Sequence, residues 1–452
     1  MENAMRLSSN LLIGLFVGTT VLFGAFGSGS GVLSTGVGIE QGIPARTIPL
    51  QFGVNIHFIE PQERDIDMIA AAGFRFVRMD FAWSHVEREK GKYDFSGYER
   101  LVNSLAKRKI RPLFILDYGN RFYDGGLAPH TGEGRAAFCK FVAAAAKHFA
   151  GKGILWEIWN EPNLDKFWRP KANVEDYCAL ALEVCKALRK ADPKCSIVAP
   201  ATSGVRLNFI EEVFQSGLLK WLDGVTVHPY RSRAPETVTR EYKRLRELID
   251  KYAPRGKGGL QIADCGMQKG KSEIRNQKSE KGLPILSGEW GYSLLHHGGI
   301  PFSAEKQASY LARQFLINLM NDVRLSIWYD WHDDGPDPKE TEHNFGIVTY
   351  KYDLKPSYLS AKTLLHTLGG LKFAGRIPLE SPNDYALSFS GGAKRVIAAW
   401  TTGQPHSISL PVKAGKVQIV SMTGETREAE TKEGRLHIEI SGNPQYIVRS
   451  LP

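Results

Sequence analysis

From Gln51 onward, short apolar runs alternate with stretches in which apolar residues recur every three or four positions. Apolar runs of four to eight residues bounded by turn formers predict buried strands, and the longer periodic stretches predict amphipathic helices. Strands are expected at Gln51–Phe58, Phe74–Phe81, Arg111–Leu116, Ile154–Trp159, Ser196–Pro200, Gly224–His228, Pro284–Ser287 and Val323–Tyr329. Helices are expected at Pro61–Ala72, Phe95–Lys109, Gly132–Lys152, Val174–Ala191, Leu207–Leu219, Pro235–Tyr252, Ser303–Asp322 and Pro356–Leu368. Eight strand-then-helix units predict an α/β fold, a (β/α)8 barrel over residues 41–369. A doubly wound open sheet is the competing arrangement, but no G-x-G-x-x-G turn follows the first strand to support it.

After Gly370 the period changes to strict alternation. Tyr385–Ser390, Arg395–Thr401, His406–Val412, Val417–Met422, Arg435–Ile440 and Gln445–Val448 are separated by turn residues such as Gly391-Gly392. Short alternating strands at this spacing predict a small antiparallel β-sandwich over residues 370–452. It holds no constellation of catalytic groups and reads as a companion domain.

Two segments stand outside this scheme. Arg6 and the amino terminus precede the uncharged apolar run Leu11–Phe26 and a Gly/Ser tract, the pattern of a cleaved signal peptide, so residues 1–40 are expected to be signal and linker. Export to the periplasm or the outside follows; the alternative is an N-terminal membrane anchor, the one way a membrane would be a partner. Residues 261–282 carry an imperfect seven-residue polar repeat, Lys271-Ser-Glu followed by Lys278-Ser-Glu. Lying between the sixth helix and the seventh strand, this insertion is expected on the barrel face opposite the active site.

Composition narrows the function. The 452 residues are 42% hydrophobic and 23% charged, the usage of a globular protein with a large core. The formal charge of +10 invites a nucleic-acid reading, but part of it comes from the short segment 255–281, where Arg255, Lys257, Lys269, Lys271, Arg275, Lys278 and Lys281 outnumber Asp264, Glu273 and Glu280. No basic helix or RNA-binding motif accompanies it, so no nucleic-acid partner is expected. The five cysteines (Cys139, Cys178, Cys185, Cys195 and Cys265) form no C-x-x-C pair. Cys178 and Cys185 would stand about 10.5 Å apart along a helix, beyond disulfide reach. Neither a disulfide framework nor a zinc site is expected.

In a barrel, reacting groups stand at the carboxyl ends of strands. Glu161 follows the fourth strand in Trp156-Glu-Ile-Trp-Asn-Glu-Pro-Asn163, and Glu289 follows the seventh in Ser287-Gly-Glu-Trp-Gly291. Strands four and seven face each other across one mouth. These motifs resemble the acid/base and nucleophile motifs of the clan A retaining glycoside hydrolases, with most similarity to families 39 and 5, from about Gln51 into the trailing sandwich. The resemblance implies that Glu161 is the acid/base, Glu289 the nucleophile, and Asn160 the partner of the sugar 2-hydroxyl. It implies that Arg78 keeps Glu289 ionised and oriented, that Tyr230 of His228-Pro-Tyr230 hydrogen-bonds Glu289, and that His228 lines the sugar site.

Further residues at strand ends are candidates by position. Trp331 or Trp328 is expected as the platform beneath the sugar, since a ring face packs on the apolar face of a pyranose. Trp83, Tyr118, Asn120 and Trp168 stand in loops after strands two to four and would line the cleft or the core. His57 and His332-Asp333-Asp334 are structural as readily as functional. No second ligand accompanies His57 in sequence, so no metal or other cofactor is expected. The function implied is double-displacement hydrolysis of O-glycosidic bonds in a polysaccharide or oligosaccharide. A non-catalytic carbohydrate-binding relative and a transglycosylase are the alternatives.

Overall fold

A computed structural model describes residues 40–253, 282–296 and 300–450. The signal segment and nearly all of the polar insertion therefore lie outside the described residues. Eight parallel strands, β1 (Phe52–Asn55), β2 (Phe76–Ala82), β3 (Arg111–Asp117), β4 (Leu155–Ile158), β5 (Ser196–Ser203), β6 (Gly224–His228), β7 (Ile285–Trp290) and β8 (Val323–Trp328), close into a barrel in which each pairs with its neighbours in sequence and β8 returns to β1. Helices α1 (Glu63–Ala72), α2 (Ser96–Lys107), α3 (Gly132–His148), α4 (Val174–Ala191), α5 (Leu207–Gln215), α6 (Thr239–Tyr252), α7 (Ala304–Met320) and α8 (Pro356–Thr367) follow the strands in turn. Among the described residues no helix is long and apolar enough to cross a membrane.

Alternation along the strands sorts the side chains into two layers. Phe76, Leu113, Ile115, Leu155, Val198, Leu286, Leu325 and Ile327 fill the barrel interior. Residues of opposite phase, such as Val54, Val77, Phe114 and Trp328, pack outward with the helices in a larger core. Polar residues that continue the inward phase past the interior plug must therefore emerge at the mouth. Arg78 stands two residues beyond Phe76, and Glu157 two beyond Leu155.

Departures from the sequence reading have local causes. The fifth helix stops at Gln215 because Gly217 turns left-handed (φ 81°), and a 3-10 turn follows at Leu218–Trp221. Strand β5 runs on past Pro200 to Ser203 through a register shift between Pro200 and Thr202. Strand β7 extends to Trp290, so Glu289 lies within the strand rather than after it.

Beyond the barrel, β9 (Lys372–Arg376), β10 (Asp384–Gly391), β11 (Lys394–Thr401), β12 (His406–Pro411), β13 (Gly415–Val420), β14 (Thr426–Thr431), β15 (Arg435–Ile440) and β16 (Gln445–Ser450) form a six-stranded antiparallel sheet and a separate β12–β15 pair. Ala386, Ala399, Leu410, Leu436, Ile438 and Ile447 make its own core. Trp400 on β11 reaches into the barrel unit, where its Nε1 donates to Glu236 Oε1 at 2.7 Å; Arg313 of α7 binds the same carboxylate through two bonds of 2.7 and 2.8 Å. The four described cysteines are free.

Candidate active site

Glu161 is placed by an irregular exit from β4. Trp159 and Glu161 both adopt positive φ, 66° and 44°, a conformation that costs a non-glycine residue of order 1–3 kcal/mol and must be held by its surroundings. Backbone bonds from Trp159 to Leu116 (3.2 Å) and from Glu161 to Ala201 (3.1 Å) hold it between β3 and β5. Asn163 completes the clamp by exchanging hydrogen bonds with the Ser203 backbone at 2.9 and 3.2 Å.

Glu289 is aimed by a bulge. Ser326 pairs with Ser287 and Trp328 with Trp290, so two residues of β7 oppose one of β8. Ser287 and Trp290 keep the outward phase while Gly288 and Glu289 both turn to the mouth. A Cβ on Gly288 would stand 3.0 Å from Glu157 Oε1 and 3.3 Å from His228 Nε2. Gly288→Ala is therefore expected to displace these groups and lower kcat by about 10- to 100-fold while the fold survives, since a misplacement of ~1 Å carries that cost; kinetics alongside circular dichroism check it.

Arg78 is the hub. Fully buried, it donates from Nε to Glu157 (2.7 Å), from Nη1 to Glu289 Oε2 (2.6 Å), and from Nη2 to Asn160 Oδ1 (2.9 Å) and His228 Nε2 (3.1 Å). Tyr230 donates to the other Glu289 oxygen at 2.8 Å. The nucleophile candidate is thus gripped through both oxygens by donors that fix its rotamer.

The contacts also settle the His228 tautomer. A guanidinium only donates, so Nε2 must accept and Nδ1–H donates to Glu161 Oε1 at 3.0 Å. Burial, helped by the Arg78 charge, pushes the imidazole down to about 4, so it stays neutral. Burial lifts the Glu161 carboxyl to about 6, against the lowering effect of Ser203, Arg78 and Lys166. One acceptor oxygen each from Glu161 and Glu289, with a ring nitrogen of His228, lie within 4.8 Å of one another. A cation there would meet the Arg78 guanidinium, which disfavours it.

Five of the residues expected at the site, Asn160, Glu161, His228, Tyr230 and Glu289, meet around Arg78. Tyr118 joins them, its hydroxyl accepting from Asn160 Nδ2 at 3.1 Å. The tryptophans and Asn120 do not join. Trp328 is buried among the helices because it has the outward phase of Ser326. Trp331 is buried and donates to Asp65 at 2.6 Å. Trp83 stacks on Tyr123 beneath the loops and bonds Glu87. Asn120 ties its loop to the Glu87 carbonyl after β2 and accepts from the Phe122 N–H, and Trp168 packs on Trp159. Tyr329, which continues the inward phase of Leu325 and Ile327, instead stands beside Tyr230 at the mouth. Its ring lies 6.3 Å from Tyr230 and 5.6 Å from His57. Glu157 was also missed; an acidic residue two positions past an interior leucine was the signal.

His57 is not alone. Its Nδ1 lies 2.9 Å from Asp334 and 3.9 Å from Asp330, a set of ligand-type atoms within 4.8 Å of one another that only the fold brings together. Burial opposes its charge, but the Asp334 hydrogen bond and the Asp330 field raise it to about 9. Asp333 is structural, paired with Lys355 at 2.6 Å. A pocket of about 230 Å³ opens here between the ends of β1 and β8, and the buried Asn55 Oδ1, Asp330 Oδ1 and His332 Nε2 find no hydrogen-bond partner.

A parallel eight-stranded barrel with an Asn-Glu pair after β4 and a Glu on β7 is the architecture of the clan A glycoside hydrolases. A sequence model of the cellulase family, glycosyl hydrolase family 5, matches residues 40–335, and the chain belongs to that family. It is 28% identical over 199 residues to a beta-xylosidase of Geobacillus stearothermophilus, a match covering 38% of this chain and 39% of that enzyme. The chain thus spans about two fifths of that relative's length. A family 39 glycoside hydrolase from Bacteroides cellulosilyticus superposes with a TM-score of 0.74 at 25% identity, covering 89% of this chain and 81% of that one. A family 39 beta-xylosidase from Caulobacter crescentus superposes at 0.62 and 18% identity, covering 91% and 98%, a likeness of fold.

Proposed function

We propose that the protein hydrolyses O-glycosidic bonds with net retention, Glu289 attacking the anomeric carbon and Glu161 serving as acid and then base. The observation that carries this is the closeness of the two carboxyl groups: one oxygen of each lies within 4.8 Å of the other, which fits the ~5–5.5 Å separation of a direct-attack mechanism better than the ~6.5–9.5 Å of an inverting one. The differing surroundings support the division of roles. Glu161 is buried and raised, as a proton donor requires, whereas Glu289 is gripped by Arg78 and Tyr230.

Asn160, held by Arg78 and Tyr118, offers its amide to the sugar 2-hydroxyl. Tyr329, between Tyr230 and His57, forms the platform, and the pocket on the His57 side extends the sugar site away from the two carboxyl groups, its unpartnered acceptors Asn55 and Asp330 matching hydroxyl donors. The beta-xylosidase similarity makes xylosides the first substrates to try. A screen of nitrophenyl glycosides followed by proton NMR of the first sugar released tests the reading: retained configuration is expected, and inversion would overturn it.

The pH profile gives an independent check. Protonated Glu161 is the form that donates, so kcat/KM is expected to decline above about pH 6, by about tenfold per pH unit, for substrates whose leaving groups need a proton. The decline should weaken for dinitrophenyl glycosides, which need none.

A further inference from the structure

On the Glu161 side of the mouth a second pocket, of about 220 Å³, is lined by Tyr118, Gly119, Trp159, Lys166, Phe167 and Arg169 with nearby backbone. Its wall is the loop Asp165–Lys171 that follows the acid candidate, and the Leu164 N–H to Glu161 carbonyl bond (3.0 Å) starts that loop. Lys166 is close enough that its charge acts on the Glu161 carboxyl.

The loop's charges are unbalanced. Asp165 is engaged by the Ala172 N–H at 2.9 Å, and Asp124 across the pocket is engaged by the His130 and Thr131 N–H groups at 2.8 and 3.1 Å. Lys166 and Arg169 are exposed, and neither ion-pairs with a carboxylate among the described residues. Lys166 Nζ lies 5.0 Å over the Phe167 ring, and the Tyr118 and Phe167 rings run nearly parallel, 14° apart. One cation over the half-buried Phe167 ring and a second, Arg169, in the pocket wall form a surface for a flat or ring-shaped group that carries negative charge.

We infer that this pocket is the leaving-group subsite and that it takes an aglycone bearing a carboxylate, such as a uronic-acid residue or an aromatic acid. The inference rests on the retaining-hydrolase reading, which makes the Glu161 side the side of the departing oxygen. Carboxylate recognition here is independent of which sugar the other pocket takes. Because both cations face water, the gain is modest and falls with salt.

The test uses 4-carboxyphenyl and 4-carbamoylphenyl glycosides of the sugar selected by the nitrophenyl screen, compared by the ratio of kcat/KM so that losses common to both cancel. In the wild type at low salt the carboxylate is expected to be favoured by about five- to tenfold, the range two exposed charges supply. The ratio should fall toward one in 0.5 M sodium chloride and in the K166A/R169A double variant. A wild-type ratio near one, or a preference that survives the double substitution, would overturn the inference. Binding of free 4-hydroxybenzoate against 4-hydroxybenzamide, followed by ligand-observed NMR, needs no turnover. If no glycoside is cleaved, the hydrolase reading and with it the leaving-group role fail, while this comparison still decides carboxylate recognition in the pocket: equal binding rejects it, and a carboxylate preference lost in the double variant upholds it.

Discussion

Glu289→Ala is expected to reduce kcat by on the order of 10⁵-fold on every glycoside, whatever the leaving group, the scale seen when an enzyme loses its nucleophile. Without the carboxylate no glycosyl-enzyme can form, and the Arg78 guanidinium loses one of its two carboxylate partners while keeping Glu157. The truncation opens space on the nucleophile's face of the sugar. Added azide should occupy it and give a glycosyl azide of inverted configuration from substrates with a good leaving group. Kinetics with and without azide and NMR of the product check both parts. Unimpaired turnover would mean that another group attacks.

Glu161→Ala is expected to act differently. For poor leaving groups, which must be protonated as the bond breaks, kcat/KM should fall about 10²- to 10⁴-fold, the contribution of a general acid. For dinitrophenyl glycosides the first step should be nearly spared. Turnover should then stall at hydrolysis of the glycosyl-enzyme, where Glu161 serves as base. A burst of phenolate followed by a slow phase is the kinetic sign, and azide should relieve the slow phase with retained configuration. His228 would also lose the acceptor of its Nδ1–H, so a modest general loss accompanies the specific one. If the two variants gave the same anomer, the division of roles would be wrong.

The barrel was legible because strands buried on both faces read as continuous apolar runs, and periodic helices between them leave few topologies. The edge strand Thr426–Thr431 was not, because five of its six side chains are exposed or half-exposed and alternation is lost. The candidate pair was legible because each Glu sits in a motif next to a strand end. Its aim was not: the bulge at Gly288-Glu289 is a property of pairing with β8 and leaves no mark in the local sequence.

The direction of the aromatic side chains was not legible for a related reason. Tryptophan is the larger ring, but phase decides direction, and counting from Leu325 and Ile327 selects Tyr329 over Trp328. His57 looked isolated because Asp330 and Asp334 lie more than 270 positions away in the chain and meet it only when β8 closes onto β1.

The central claim, a covalent intermediate on Glu289, is tested most directly by trapping it. A 2-deoxy-2-fluoro glycoside with a dinitrophenolate leaving group slows both steps, but the activated leaving group rescues only the first, so the intermediate accumulates. Intact mass followed by peptide mapping should show one added fluoroglycosyl group on the peptide that contains Glu289. An adduct on any other residue, or release of inverted fluoro sugar with no adduct, would contradict it.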